Sequence, residues 1–561
     1  MKDQIIKSLS ITNLSKDEIE KLIETPKDPT LGDFAFPCFV LAKTMKKNPV
    51  EIAKDLAVKI NSKDFEKVQA TGPYINFFLK KGNLAKEVLS KILKEKAKYG
   101  SQKINEKLVI EFPSPNTNKP LHIGHARNIV LGQAVSEISR FSGNKVIIVN
   151  LANDRGVHIC KSMLAYDKWG KGDSPEKAKR KSDHFVGDYY VKFAQAAKEN
   201  PKLEEEAQEY LRKWEAGDKK IIELWKKMNK WALEGFEETY KKFNLKANKD
   251  YLESEIYKKG KSIVLDALKK GIVQKKPDGA IFIDLTLEGL GEKFLLRADG
   301  TSIYIIQDIY LAVLKQKDFK FNKSIYICAV EQDYHFKVLF ATLKKLGYAW
   351  AEKLYHLSYG MVNLESGRMK SREGNVVDSD NLIDELTNMA SEEIKKREDK
   401  LSQKEVQTRA RAIAMAALRY YYLKVDPKRD VIFQPEESIK FEGNTGPYLL
   451  YTYARANSIL EKEKQSSAKY KIPSILTDQE KQLVTRLNEF PEIVQKSYHD
   501  LAPNHIANYA HQLAQNFNEF YHNSKVIGSE EESFRINLVK ATMQVLENSL
   551  LLLGIKPIKK M

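Results

Sequence analysis

Residues 109–125 constrain the fold more than any other stretch. An apolar run, Val109-Ile-Glu-Phe112, reads as a strand, and a loop with three prolines follows, Pro113-Ser-Pro-Asn-Thr-Asn-Lys-Pro120. Leu121-His-Ile-Gly-His125 then leads into Ala-Arg-Asn-Ile-Val-Leu-Gly-Gln-Ala-Val, which reads as a helix. His122 and His125 therefore stand where a strand hands over to a helix. A helix start offers unpaired N–H groups and positive dipole, a place for phosphate. Imidazoles three residues apart share a helical face and can add hydrogen bonds to that anion. Gly124 leaves room for a flat group to approach the backbone. Four residues alone also fit a pair of surface histidines, but the strand and Pro-rich loop before them weigh against that.

A second apolar run, Lys145-Val-Ile-Ile-Val-Asn150, ends at Asp154-Arg-Gly156. Strand, helix and strand within fifty residues predict an α/β domain of Rossmann type, a parallel sheet with ligands at the strand ends. At 561 residues the chain has room for about three domains. Residues 1–100 read as a small α/β domain, with helices at 16–23, 49–59 and 84–99 and a strand at Tyr74–Leu79. Residues 101–385 carry the sheet, interrupted by a helical insertion at about 161–245, and strand-like runs return at 280–285, 294–297 and 324–330. Residues 386–561 read as helical throughout. The net charge of +18 suits a polyanionic partner and suits solvated Lys-rich faces equally well. Cys38, Cys160 and Cys328 are too scattered for a disulfide framework or a structural zinc cluster. No apolar run reaches membrane-spanning length and the first twenty residues are charged, so a cytoplasmic protein is expected.

A second constellation suits a planar cation. Phe294-Leu-Leu-Arg-Ala-Asp-Gly-Thr-Ser-Ile-Tyr304 predicts a strand, an Asp-Gly turn and a helix capped at Thr301 or Ser302. Tyr304 and Asp308 are then neighbours one turn apart, a phenol and a carboxylate able to receive a guanidinium. Ser324–Val330 is a further strand ending in Glu331-Gln332-Asp333, and Glu111 and Asn116 flank the same expected mouth.

These residues together resemble the class I aminoacyl-tRNA synthetases, and among them the arginyl-tRNA synthetase family. The resemblance rests on Glu111-Phe-Pro-Ser-Pro-Asn-Thr-Asn-Lys-Pro-Leu-His-Ile-Gly-His-Ala-Arg127, on the Asp299-Gly-Thr…Tyr304…Asp308 segment, and on Gln332 after the next strand. It implies that His122 and His125 hold ATP phosphates, with Gly124, Met361 and Met369 beside the nucleotide. It implies that Asp308 and Tyr304 bind the guanidinium of L-arginine, with Asn116, Gln332 and Glu111 at its α-amino and carboxylate groups. Gly367-Arg-Met-Lys-Ser-Arg-Glu-Gly374 resembles the family's Lys-Met-Ser-Lys-Ser loop, so Arg368, Lys370, Ser371 and Arg372 become catalytic candidates. Ser371 stands where that loop has its second lysine, and the resemblance makes Lys119 the substitute cation. Phe441–Arg455 resembles the start of the family's helical anticodon-binding domain, in which Tyr448, Tyr451, Tyr453 and Arg455 offer aromatic faces and a guanidinium, with Tyr448, Tyr451 and Arg455 as the candidates for tRNA contact. Gly32-Asp-Phe-Ala35 and Gly72–Phe77 resemble its N-terminal tRNA-contacting domain, in which Tyr74, Asn76 and Phe78 are candidates, Asn76 foremost. The implied activity is ATP-dependent ligation of arginine to the 3′-terminal ribose of tRNA(Arg), with tRNA-dependent activation of arginine, by a monomer using magnesium with its ATP and no structural zinc. Three rivals stay open: a synthetase for another amino acid such as cysteine, an RNA-binding paralogue without catalysis, and a nucleotidyltransferase of the same superfamily.

Overall fold

The computed structural model describes residues 2–24, 26, 28, 31–60, 65–170, 172–301, 303–363, 377–398, 401–463 and 470–561. The chain divides into two compact units, Met1–Tyr99 with Ser458–Glu489 and Gln515–Val545, and Gly100–Asn457 with Phe490–Ala514 and Leu546–Met561. In the first unit, three antiparallel strands, β1 (Phe34–Pro37), β2 (Phe65–Thr71) and β3 (Tyr74–Leu79), lie in the order β1-β3-β2. Ile5, Leu9, Ile19, Phe36, Ile52, Leu56, Phe65, Ile75 and Phe77 form their core. The helix Pro49–Lys59 is the one expected from sequence, with Pro49 in its first turn and the Asn48 side chain accepting from the Val50 N–H.

The second unit is built on five parallel strands, β4 (Lys107–Glu111), β5 (Lys145–Ala152), β6 (Lys249–Leu252), β10 (Lys323–Ala329) and β11 (Leu354–Tyr359). Their spatial order is β11-β10-β4-β5-β6, so the chain reverses its direction of travel across the sheet between β4 and β10. In doubly wound sheets the crevice beyond the carboxyl ends of such a strand pair is where ligands bind. Three further strands, β7 (Gln274–Lys275), β8 (Ile281–Leu285) and β9 (Gly291–Leu296), form a separate antiparallel sheet. Of the three later strand-like runs, only the one at 324–330 joins the parallel sheet. A two-stranded pair, β12 (Val362–Asn363) with β13 (Val431–Ile432), completes the strands among the described residues.

The insertion occupies the β5–β6 crossover as helices Val157–Trp169, Pro175–Ala178, Ser182–Glu199, Lys202–Ala216 and Lys219–Phe243. It has its own core around Met163, Phe185, Phe193 and Trp231, with Tyr166, Phe185 and Trp231 meeting edge to face. β5 and β6 nonetheless pair in register, Val149 opposite Lys249 through Ala152 opposite Leu252. Later helices run over Ser379–Arg397, Gln403–Leu423, Gly446–Leu460, Asp478–Asp500, Asn504–Asn523 and Glu532–Leu552. The first of them passes through position 385, where the division read from sequence falls.

Candidate active site

A cavity of about 540 Å³ opens at the carboxyl ends of β4 and β10. It brings together seven residues singled out from sequence: Glu111, Asn116, Lys119, His125, Tyr304, Asp308 and Gln332. The loop after β4 is laced to the end of β5, with Thr117 N–H donating to the Asn153 carbonyl and Asn153 N–H to that of Pro115. Lys119 is half-buried on this loop; burial draws its pKa down, and no carboxylate pairs with it among the described residues.

The helix carrying the two histidines spans Ile123–Phe141, with His122 as its N-cap. His122 Nδ1 accepts from the Gly124 N–H and His125 Nδ1 from the His122 N–H, each at 3.1 Å. The Ile123 N–H donates to Val377 O. Three backbone donors expected to face an anion are thus engaged within the protein. With both Nδ1 atoms accepting, each neutral ring carries its proton on Nε2, so two imidazole N–H groups take over as donors. The rings lie 4.0 Å apart by centroid. Burial, then the charge of Lys119, pushes His122 down to about 3, and burial together with His122 and Lys119 holds His125 well below the usual range. Both rings are therefore neutral at pH 7. Gly124 has a packing reason beyond ligand access: a Cβ there would stand 3.0 Å from His122 Cε1 and displace the capping ring.

At the other end of the cavity, Tyr304 and Asp308 belong to a helix that begins later than expected, at Ile305. Thr301 does not cap it: the Asp299 carboxylate accepts both the N–H and the hydroxyl of Thr301, closing a turn upstream. Ser302, the other capping candidate, lies outside the described residues. Tyr304 occupies the N-cap position and is 63% exposed. Asp308 Oδ2 is 2.8 Å from His335 Nε2, and this bond raises the His335 pKa. Behind Asp308, Glu253 is buried beside Gln307 and lies 3.7 Å from Arg155; burial pushes its carboxyl up to about 7. Glu111 faces Lys315, whose fully buried ammonium donates at 2.7 Å and sits 3.5 Å from the centre of the Tyr326 ring. Burial works against that ammonium, but Glu111 and Tyr326 outweigh it and raise its pKa. Sequence reasoning missed His335, Glu253, Gln307 and Lys315. Lys315 had a signal, since it is two helical turns beyond Asp308.

A cavity lined by the carboxylates of Glu111 and Asp308, the ammonium of Lys119 and the neutral imidazole of His125, with His122 just outside the lining, suits an amino acid meeting a polyphosphate. The family model for the catalytic domain of class I (R) tRNA synthetases matches residues 88–434. The chain belongs to the arginyl-tRNA synthetase family. Its N-terminal domain model matches residues 1–79, and the DALR anticodon-binding domain model matches 449–561. An arginine–tRNA ligase of Treponema denticola is 48% identical, with 94% of this chain and 92% of that one covered. One of Borrelia hermsii is 43% identical over 99% of this chain and 97% of its own. Among solved structures, the Thermus thermophilus arginyl-tRNA synthetase superposes with a TM-score of 0.83 at 26% identity, covering 100% of this chain and 99% of that one.

Of the family's loop motif, Arg368, Met369, Lys370, Ser371 and Arg372 lie outside the described residues. The chain on either side of 364–376 is held tightly. Arg127 is 2% exposed and donates to four carbonyls, those of Gly360 and Met361 through Nη1 and of Pro427 and Arg429 through Nη2. Met361 N–H donates to Asp430 Oδ1 at 2.7 Å, and β12 pairs with β13 directly after it. On the far side, Ser379 N–H donates to the Leu121 carbonyl, so Asp378 bridges to His122.

The candidates for tRNA contact separate by exposure. Tyr451 is exposed and Arg455 half-buried beside it, the guanidinium 4.7 Å from the ring centre and donating to the phenol oxygen. Tyr448 is half-buried, its ring 5.5 Å from His511, whereas Tyr453 is buried. Asn76 is 3% exposed. It lies on β3, the central strand of its sheet, opposite Ala35 and Gln69.

Proposed function

We infer that this protein joins L-arginine to tRNA(Arg) in two steps driven by ATP. The observation that carries the reading is the single cavity holding Tyr304 and Asp308 at one end and Lys119 with His125 at the other. Arginine lies with its guanidinium on Asp308 and Tyr304, and its α-amino and carboxylate groups between Asn116, Gln332 and Glu111. Its carboxylate attacks the α-phosphate of magnesium-bound ATP; a P–O bond forms, and the bond to pyrophosphate breaks. The Nε2–H groups of His122 and His125 hold the phosphates as neutral donors, with Gly124 and Met361 beside the nucleotide and charge from Lys119, Arg368, Lys370 and Arg372. Ser371 is the departure from the family's loop. The 2′-hydroxyl of the tRNA terminus then takes the aminoacyl group and AMP leaves.

The helical part after about residue 386 binds the anticodon, with Tyr451, Arg455 and Tyr448 as contacts, and residues 1–100 form the added tRNA-contacting domain. Arginine activation depends on bound tRNA, and the protein works in the cytoplasm as a monomer. No described helix is long and apolar enough to cross a membrane. ATP–pyrophosphate exchange with each of the twenty amino acids, with and without total tRNA, tests the reading. Exchange with arginine alone, appearing only when tRNA is present, is expected. tRNA binding without exchange under any condition would replace the ligase with a non-catalytic RNA-binding paralogue.

Lys119→Ala is expected to slow single-turnover adenylate formation by roughly 10²-fold, the loss typical of one preorganised group facing developing charge. A rate within a few-fold of the unaltered protein would remove Lys119 from the chemistry.

A further inference from the structure

The helical insertion packs against the segments flanking the histidine motif in two places one helical turn apart. Gly187, on the helix Ser182–Glu199, lies against the Pro-rich loop: a Cβ there would stand 2.6 Å from Pro120 Cδ and 3.5 Å from Lys119 Cα. His184, three residues earlier, is buried with Nε2 3.1 Å from Asp378 Oδ2. The two oxygens of Asp378 have different tasks. Oδ1 caps the helix Ser379–Arg397 by accepting the N–H groups of Asp380 and Asn381, which leaves Oδ2 for His184. The backbone around Asp378 is tied to the histidine motif, Ile123 N–H to Val377 O and Ser379 N–H to Leu121 O.

The charges around His184 balance only if its ring is protonated. Asp183, on its own helix, and Asp378 and Asp380 are three carboxylates. Lys181 lies 2.7 Å from Asp380 Oδ2 and 3.2 Å from Asp183, and Lys242, on the helix Lys219–Phe243, lies 2.9 Å from Asp380 Oδ1; Lys242 also meets Asp384 at 3.3 Å, and that carboxylate is balanced by Arg411 at 3.8 Å. Asp183, His184 and Asp380 have ligand atoms within 4.8 Å of one another, but the two ammonium groups already cover both oxygens of Asp380. The third positive charge is the imidazolium.

We propose that His184 is a positioning residue for adenylate formation, its imidazolium pinning Asp378 so that the Asp378 bridge holds His122 in place. This rests on the reading of His122 and His125 as phosphate donors, and it assigns the insertion a task in the first reaction step. His184 touches no substrate; it acts through Asp378. Burial opposes its charged form, but Asp378, Asp380 and Asp183 overcome it and push the pKa up to about 9. A folded-state pKa above the unfolded value means the pin is fully present below about pH 6.5 and is lost as pH rises through about 9.

The test is arginine-dependent ATP–pyrophosphate exchange with tRNA present, from pH 6.5 to 9.5, on full-length His184→Gln and His184→Lys, normalised to active sites by titration. His184→Gln is expected to lose roughly 10²-fold in kcat at pH 7.5, as for a misplacement of about 1 Å, with the arginine KM within about threefold. The alkaline limb near pH 9 in the unaltered protein should be absent from it. His184→Lys, which keeps the charge, should regain part of kcat and move the limb upward. An unaltered kcat per active site in His184→Gln, or a His184→Lys no better than His184→Gln, overturns the inference. If His184→Gln does not fold, a His184→Lys profile with the same limb as the unaltered protein overturns it alone. Failure of the ligase reading is distinguishable, because the unaltered protein would then give no arginine-dependent exchange.

Discussion

Asp308→Asn is expected to raise the arginine KM by roughly 10²-fold and to leave the KM for ATP within about threefold. The substitution keeps the shape of the side chain and removes its charge. Truncating one partner of a hydrogen-bonded charge pair costs about 2–5 kcal/mol, and about 3 kcal/mol corresponds to roughly 10²-fold. Asp308 lines the cavity bonded to His335, and in the proposed reading it receives the guanidinium while Glu111 serves the α-amino and carboxylate groups. Glu253 is buried 3.7 Å from Arg155 and does not line the cavity. The same variant should narrow the preference for arginine over lysine, since a fork of donors exploits a carboxylate that a point charge serves less well. Steady-state exchange kinetics measure both effects. Equal losses for arginine and ATP would mean that Asp308 supports the fold and does not read the substrate.

Arg127→Lys is expected to destabilise the unit that contains it by roughly 4 kcal/mol, read as a fall of about 5 °C in the thermal midpoint. The guanidinium donates to four carbonyls from two nitrogens, in a site where the side chain is 2% exposed. An ammonium has three protons without the planar fork, so at least one buried carbonyl loses its partner and the charge stays buried with fewer bonds. A change under about 1 kcal/mol would mean that water replaces those bonds and that Arg127 is not the tie between the helix Ile123–Phe141 and the 360–361 and 427–429 segments.

The parts of the fold that could be read from sequence are those with strong local patterns. Val109–His125 shows an apolar run, prolines and a helix start in succession, and the structure has β4, a loop and a helix there. The strands β6 and β11 escaped because they are the edges of the sheet: Lys-Asp-Tyr-Leu buries little besides Tyr251, and Leu-Tyr-His-Leu-Ser-Tyr has two successive open positions that break its alternation. The separation of β8 and β9 into their own sheet could not be seen either, since pairing partners are set by tertiary contact and not by local pattern. At the site, residues on recognisable segments were found: Glu111, Asn116, Tyr304, Asp308 and Gln332. His335 and Glu253 were not, because their importance comes from an approach to Asp308 across long stretches of chain. The late start of the helix at Ile305 has a local cause, the Asp299–Thr301 turn, which an Asp-Gly-Thr run could have signalled.

The five helices within the β5–β6 crossover also bear on how the sheet assembles. Parallel strands separated by residues 153–248 would, as slack chain, face a slow and entropically costly search for one another. Here the intervening chain has a core of its own, around Met163, Phe185, Phe193 and Trp231. Once that core has formed, β6 no longer trails on a long tether, and its meeting with β5 becomes the docking of a short piece onto a neighbour. A segment that looks like an interruption in the sequence thus works as a folding splint for the edge of the sheet.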